Sequence, residues 1–160
     1  MERIGNDLTA WLSGYTRVVI VGVGNPLRRD DGVGVEAIKR LRGRIVNDDV
    51  LLIESESVPE SFIEPIVAFN PSHILVIDAA LIGLESGSMK LTDSSDLLGV
   101  TVSTHALPIQ VFCTYLAQVT QSRIALLLIQ PKNVDFGEEI STELEKAVTR
   151  IADVLTGILI

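Results

Sequence analysis

Three side chains in this sequence have the chemistry to hold a metal ion or to move a proton. Asp31 follows a glycine-bearing turn that closes the apolar run Arg17–Val23, Asp78 directly ends the apolar run Ile74–Ile77, and His105 lies in a polar stretch before a helical pattern at Leu107. Sites in open α/β sheets form beyond the carboxyl ends of the parallel strands, so all three are expected at one rim. Two carboxylates and one imidazole make an oxygen, oxygen, nitrogen donor set that suits a borderline divalent ion such as nickel or zinc, with a position open for water or substrate. The same two carboxylates, if close, would instead share a proton and act as an acid–base pair. The residues leave both chemistries open. There is no His-Glu-x-x-His helix, which excludes a zincin arrangement. The single cysteine, Cys113, excludes a disulfide framework or a cysteine-built zinc site within one chain, and fits a reducing compartment.

Neighbouring residues qualify this reading. Asp30 and Asp31 both stand where a helix should begin, so one of them is expected to cap it. Gly32 and Gly34 in the first turn cost roughly 1 kcal/mol each relative to alanine. Something must therefore approach that backbone closely, either a ligand or a tightly packed strand. Arg28 and Arg29 stand beside the aspartates as candidates to offset their charge, and Asn25 belongs to the same loop. His73 precedes its strand and is expected at the opposite rim in a structural role. The pair Gly22-x-Gly24 invites a nucleotide-binding reading, but the third glycine of the dinucleotide fingerprint is replaced by Leu27. Two carboxylates at the helix start would also repel a phosphate. No nucleotide cofactor is expected.

The elements that must position these residues follow from periodicity. Arg17–Val23, Val50–Ile53, Ile74–Ile77 and Ile124–Ile129 are short apolar, largely β-branched runs of the kind buried on both faces of a parallel sheet. Ser88–Leu91, after a turn at Gly87, reads as an edge strand. Helical stripes begin near Asp30 (Val35, Ile38, Leu41), near Pro59, at Leu107–Val119 with Pro108 in the first turn, and at Glu138–Leu155. Leu8, Trp11 and Leu12 suggest a further short helix packed on the body. Strands alternating with helices predict an α/β protein: three layers, α/β/α, around a mostly parallel twisted sheet of about five strands.

The 160 residues suit a single domain over 1–160. No apolar window approaches the roughly 18 residues of a membrane span, and the N-terminus has no signal-peptide core. A net charge of −8 argues against nucleic acid as partner. The acid excess is concentrated in residues 45–122, at −9, against +3 over 1–44 and −2 over 123–160. Solvated helix faces account for most such patterns, and the sharper reading is an acidic face that meets a polar or basic partner.

Four blocks then occur in order: Gly22-Val-Gly-Asn-Pro-Leu-Arg-Arg-Asp-Asp-Gly-Val-Gly34, Val76-Ile-Asp-Ala79, Ser103-Thr-His-Ala-Leu-Pro108 and Ile129-Gln-Pro131. Together they resemble the hydrogenase maturation endopeptidases, and most of all the branch serving energy-converting or formate-hydrogenlyase [NiFe] hydrogenases. Ser57-Val-Pro-Glu60 and the Gly83-Leu-x-x-Gly87 turn resemble the same branch. The resemblance covers residues 17–155 and leaves residues 1–16 as an N-terminal extension. It implies a phosphorylase/hydrolase-like fold and endoproteolytic removal of the C-terminal extension of a [NiFe] hydrogenase large-subunit precursor, in the cytoplasm, by a monomer. In that family cleavage follows nickel insertion into the precursor, and three protein residues contact the metal. The matching positions are Asp31, Asp78 and His105, with Asp31 where some members have glutamate. Nickel would thus arrive as the precursor's cargo, other divalent ions being able to occupy the site in vitro. Leu128 departs from the glycine that many relatives carry before Ile-Gln-Pro, so the local backbone path there is open to question.

Overall fold

A computed structural model describes residues 2–95 and 106–160. Among them, five strands form one sheet in the order β2-β1-β3-β5-β4. The strands are β1 (Val18–Val23), β2 (Val50–Glu56), β3 (His73–Ala79), β4 (Met89–Asp93) and β5 (Arg123–Ile129). β1, β2, β3 and β5 pair in parallel, while β4 lies antiparallel on the edge beside β5. The central strands β1 and β3 are buried at every position, as their unbroken apolar runs require. On the edge strand β4 every residue keeps some exposure.

Alternation along each strand divides the core into two layers. Val18, Ile20, Leu75, Ile77, Ala125 and Leu127 face α1 (Glu2–Leu12), α2 (Val33–Leu41) and α5 (Thr142–Leu159). Val19, Val21, Ile74, Val76, Leu126 and Leu128 face α3 (Ile63–Phe69) and α4 (Ala106–Val119), which contribute Ile66, Ile109, Phe112 and Leu116. The α/β/α architecture is the expected one. The leading helix α1 buries Leu8, Trp11 and Leu12 in the first layer, so it is part of the core.

Three helices start later than their apolar stripes suggest, α3 among them because Pro59–Phe62 form a 3-10 turn. α2 begins at Val33 because Arg29–Gly32 form a 3-10 turn. α5 begins at Thr142 because Ser141 is bonded through both its N–H and its hydroxyl to Asp30. Leu128 disturbs nothing: it is paired in regular register with Asp78 on one side and Lys90 on the other.

β1 connects to β2 on one side of the sheet, and β3 lies on its other side. The topological switch point therefore falls between the carboxyl ends of β1 and β3, where α/β sheets open the crevice that holds their ligands. The loop leaving β1 carries Asp31, and β3 itself carries Asp78 next to its carboxyl end.

Candidate active site at the carboxyl edge of the sheet

Asp31 reaches this edge through a turn that glycine makes possible. Gly24 ends β1 with φ +138°, and any side chain there would strike the Asp31 carbonyl. The chain then doubles back, with Leu27 N–H donating to Asn25 Oδ1 at 2.9 Å and Asn25 N–H donating to Asp31 Oδ2 at 3.0 Å. Asn25 is thus the residue that receives the Asp31 carboxylate. The first turn of α2 is pressed onto the sheet, since a methyl group on Gly34 would collide with the carbonyls of Val23 and Ile77. Gly32 is equally close to Pro26. Tight packing accounts for both costly glycines, against the two central strands at Gly34 and against the Asn25–Pro26 turn at Gly32. It also couples the candidate residues, because Ile77 directly precedes Asp78.

Asp78 is wholly buried on the second-to-last position of β3. By strand alternation it shares the face of Ile74 and Val76, the side covered by α3 and α4. His105 lies outside the described residues. Ala106, the next residue, opens α4, whose far end leads to Ser122 and Arg123; these bond to Pro71 and Ser72 at the amino edge of the sheet. α4 must therefore start at the carboxyl edge, and it packs there on the Pro59–Phe62 turn that follows β2.

The two adjacent aspartates are both buried, yet they do different work. Asp30 accepts four hydrogen bonds: from Lys132 N–H (2.8 Å) and Asn133 N–H (3.0 Å), and from the N–H (2.7 Å) and hydroxyl (2.9 Å) of Ser141. Its oxygens are committed to the segment after β5. Asp31 turns the other way, toward Asn25. The expectation that one of them caps α2 is corrected, because the capping position is Gly32, which has no side chain to offer. Arg28 Nε donates to the Val134 carbonyl, and the Arg29 side chain lies over Gly137.

The other expectations meet the structure as follows. His73 is buried at the amino end of β3, with its ring edge-on to Trp11 at 5.0 Å between centroids and Nδ1 2.8 Å from Ser72 Oγ. Burial, with Arg123 nearby, holds its pKa below the ordinary value. Cys113 is buried in α4 and burial pushes its thiol up to about 12, which keeps it protonated. The roles of two residues escaped the sequence reading. Gln130 Oε1 accepts from Ile82 N–H at 2.8 Å and so fixes the loop after Asp78, and Ser55 Oγ donates to the Gly22 carbonyl at 3.1 Å beneath the β1 turn. Ser141 carried a visible signal, a serine directly before a helical stripe.

Among the described residues no three His, Cys, Asp or Glu side chains are grouped to hold a metal ion. Asp31 and Asp78 would supply two of three ligands, and the third candidate is His105. Their donor chemistry fits a divalent cation. Two carboxylates withdrawn from water at one rim are costly unless donors or a cation balance them.

A mostly parallel sheet covered on both faces, with two desolvated carboxylates at its switch point, is the build of an α/β enzyme working at the carboxyl edge of its strands. The chain belongs to the hydrogenase maturation protease family: the HycI model of that family matches residues 35–158, a span that takes in Asp78 and His105 and begins after Asp31. Hydrogenase 3 maturation protease of Escherichia coli K12 is 27% identical over 140 residues, 87% of this chain and 88% of its own. The crystal structure of the [NiFe] hydrogenase maturation protease HycI from Thermococcus kodakarensis KOD1 superposes with a TM-score of 0.89 at 36% identity, covering 96% of this chain and 98% of that one. That coverage exceeds what residues 17–160 alone supply, so part of the N-terminal segment is shared. HybD from the same organism, at 21% identity and a TM-score of 0.76, shares the fold. The protein is accordingly a peptide-bond hydrolase of the hydrogenase maturation type. Among the described residues no helix is long and apolar enough to cross a membrane.

Proposed function

We propose that this enzyme removes the C-terminal extension of a [NiFe] hydrogenase large-subunit precursor after nickel has been inserted, and that it recognises the precursor through that nickel. The observation that carries the reading is the pair of buried carboxylates, Asp31 on the turn after β1 and Asp78 near the end of β3, flanking the β1–β3 switch point of a maturation-protease fold. With His105 they form two oxygen donors and one nitrogen donor. Three moderate ligands hold a metal weakly alone and more firmly once the substrate's own ligands complete its shell. A precursor that carries nickel is therefore held in place, and one without it is released.

Hydrolysis adds one water across the scissile amide. Its oxygen attacks the carbonyl carbon, the C–N bond breaks, and the new amine leaves with a proton. In this reading a carboxylate of the rim takes the proton from the attacking water and hands it to the leaving amine, in keeping with aspartic-type chemistry, while the nickel carried by the precursor holds the tail beside it. The same reading has the enzyme acting as a monomer in the cytoplasm.

The test is to incubate the purified enzyme with large-subunit precursor, with and without its nickel, and to follow loss of the tail. Cleavage only of the nickel-bearing form is expected. Equal rates on both forms would end the recognition mechanism, and a stoichiometric metal bound tightly to the enzyme as purified would identify a self-contained metallohydrolase instead.

A further inference from the structure

We propose that Asp30 is a positioning residue that holds Asp31 at the rim. The proposal rests on the reading of Asp31 as a nickel-contacting residue. It starts from a backbone anomaly: Arg29 has φ +47°, in the left-handed region that side chains other than glycine, asparagine and aspartate seldom adopt. This residue reverses the chain so that Asp30 turns to the segment after β5 and Asp31 turns to Asn25. Nothing local explains why an arginine accepts that conformation. Strain of this kind persists only where the surroundings over-determine it.

The surroundings are the strap Lys132–Ser141. Arg29 N–H donates to the Gly137 carbonyl at 2.8 Å, Asp30 N–H to the Asn133 carbonyl at 3.1 Å, and Gly137 N–H to the Leu27 carbonyl at 2.8 Å. Arg28 Nε reaches the Val134 carbonyl at 3.2 Å. The strap is itself held at both ends by one group, the Asp30 carboxylate, which takes the Lys132 and Asn133 N–H groups at one end and Ser141 at the other. Asp30 therefore closes the strap around the turn, and the strap enforces the left-handed Arg29 that aims Asp31. Gly137, at φ +152°, admits the Arg29 side chain where any Cβ would meet its guanidinium.

A staple for the start of α5 and a positioning residue for Asp31 both predict lost stability, and they differ at the metal site. The experiment titrates Co²⁺ into the intact enzyme and reads the ligand-field absorption, beside circular dichroism and thermal unfolding. Wild type and Asp31→Ala set the scale: the alanine variant should bind Co²⁺ at least tenfold more weakly, with an altered spectrum. Asp30→Asn keeps the size but turns an amide toward the strap's N–H donors. Its folded form should also lose at least tenfold in affinity, with a spectrum displaced toward that of Asp31→Ala. Asp30→Glu, which keeps the charge and displaces the carboxylate by one methylene, should shift the spectrum the same way and serves if the asparagine variant does not fold. A folded Asp30 variant with lowered Tm but wild-type affinity and spectrum would overturn the proposal. Wild-type Co²⁺ binding in Asp31→Ala would instead sink the reading of the site, and the proposal with it.

Discussion

Replacing Gly34 with alanine adds one methyl group and should damage the enzyme well beyond that size. The methyl would collide with the carbonyls of Ile77 and Val23 and stand 2.9 Å from the Val23 nitrogen. These are backbone atoms of the two central strands and cannot step aside, so α2 must lift. Alanine gains about 0.8–1 kcal/mol over glycine in a helix, whereas overpacking a filled interior costs about 1–3 kcal/mol. Unyielding obstacles put the cost at the upper end, for a net loss of about 2 kcal/mol. At about 2–4 °C per kcal/mol for a chain of this length, Tm should fall by about 4–8 °C. Gly157 is the control: it lies in α5 with nothing within 4 Å of a new methyl, so Gly157→Ala should raise Tm by about 2–4 °C. Function should separate the two further. The turn carrying Asp31 moves with α2 while Asp78 stays with β3, and a displacement on the order of 1 Å costs about a hundredfold in rate. Processing of the nickel-bearing precursor, assayed well below Tm, should therefore collapse in Gly34→Ala and be unchanged in Gly157→Ala. A rise in Tm for Gly34→Ala would refute the packing argument. A lowered Tm with normal processing would refute the link between α2 and the site.

The site assignment predicts that Asp78→Ala and His105→Ala each abolish processing while circular dichroism stays native; activity in both variants would disprove it. Asp31→Glu should be milder than Asp31→Ala because it keeps a carboxylate, and equal losses in the processing assay would show that reach, not charge, is limiting there. His73 gives a pH dependence unrelated to the site. Burial keeps its native pKa below the ordinary value of about 6.5, so the unfolded chain binds a proton first as pH falls. Stability should therefore decline as pH drops through that value and level off once the native imidazole also protonates. Urea midpoints at pH 7.5 and 5.5 should show a shallower decline in His73→Phe than in wild type, and equal slopes would remove His73 as the cause.

How far the sequence discloses all this depends on how local the cause is. The central strands are legible because a run buried on both faces must be largely apolar, and Val18–Val23, Ile74–Ile77 and Ile124–Ile129 are. Asp78 is legible as a rim residue because it follows such a run, and strand geometry alone carries it there. The opposite holds at Asp30 and Asp31. As types and as neighbours they are equivalent, and helix-capping logic applies to both. What separates them is a strap more than a hundred positions away, whose N–H groups claim one carboxylate and leave the other facing Asn25. The same distance hid Gln130, which secures the loop after Asp78 from the end of β5. The turn bearing Asp31 and the loop after Asp78 are thus both steadied from the segment that follows β5, by Asp30 on the β1 side and Gln130 on the β3 side. The Ile-Gln-Pro block contains no proposed ligand, so its matching place in the sequence has a physical reason. It opens the segment to which the turn bearing Asp31 and the loop after Asp78 are fastened, and a change there should reach the site without touching either carboxylate.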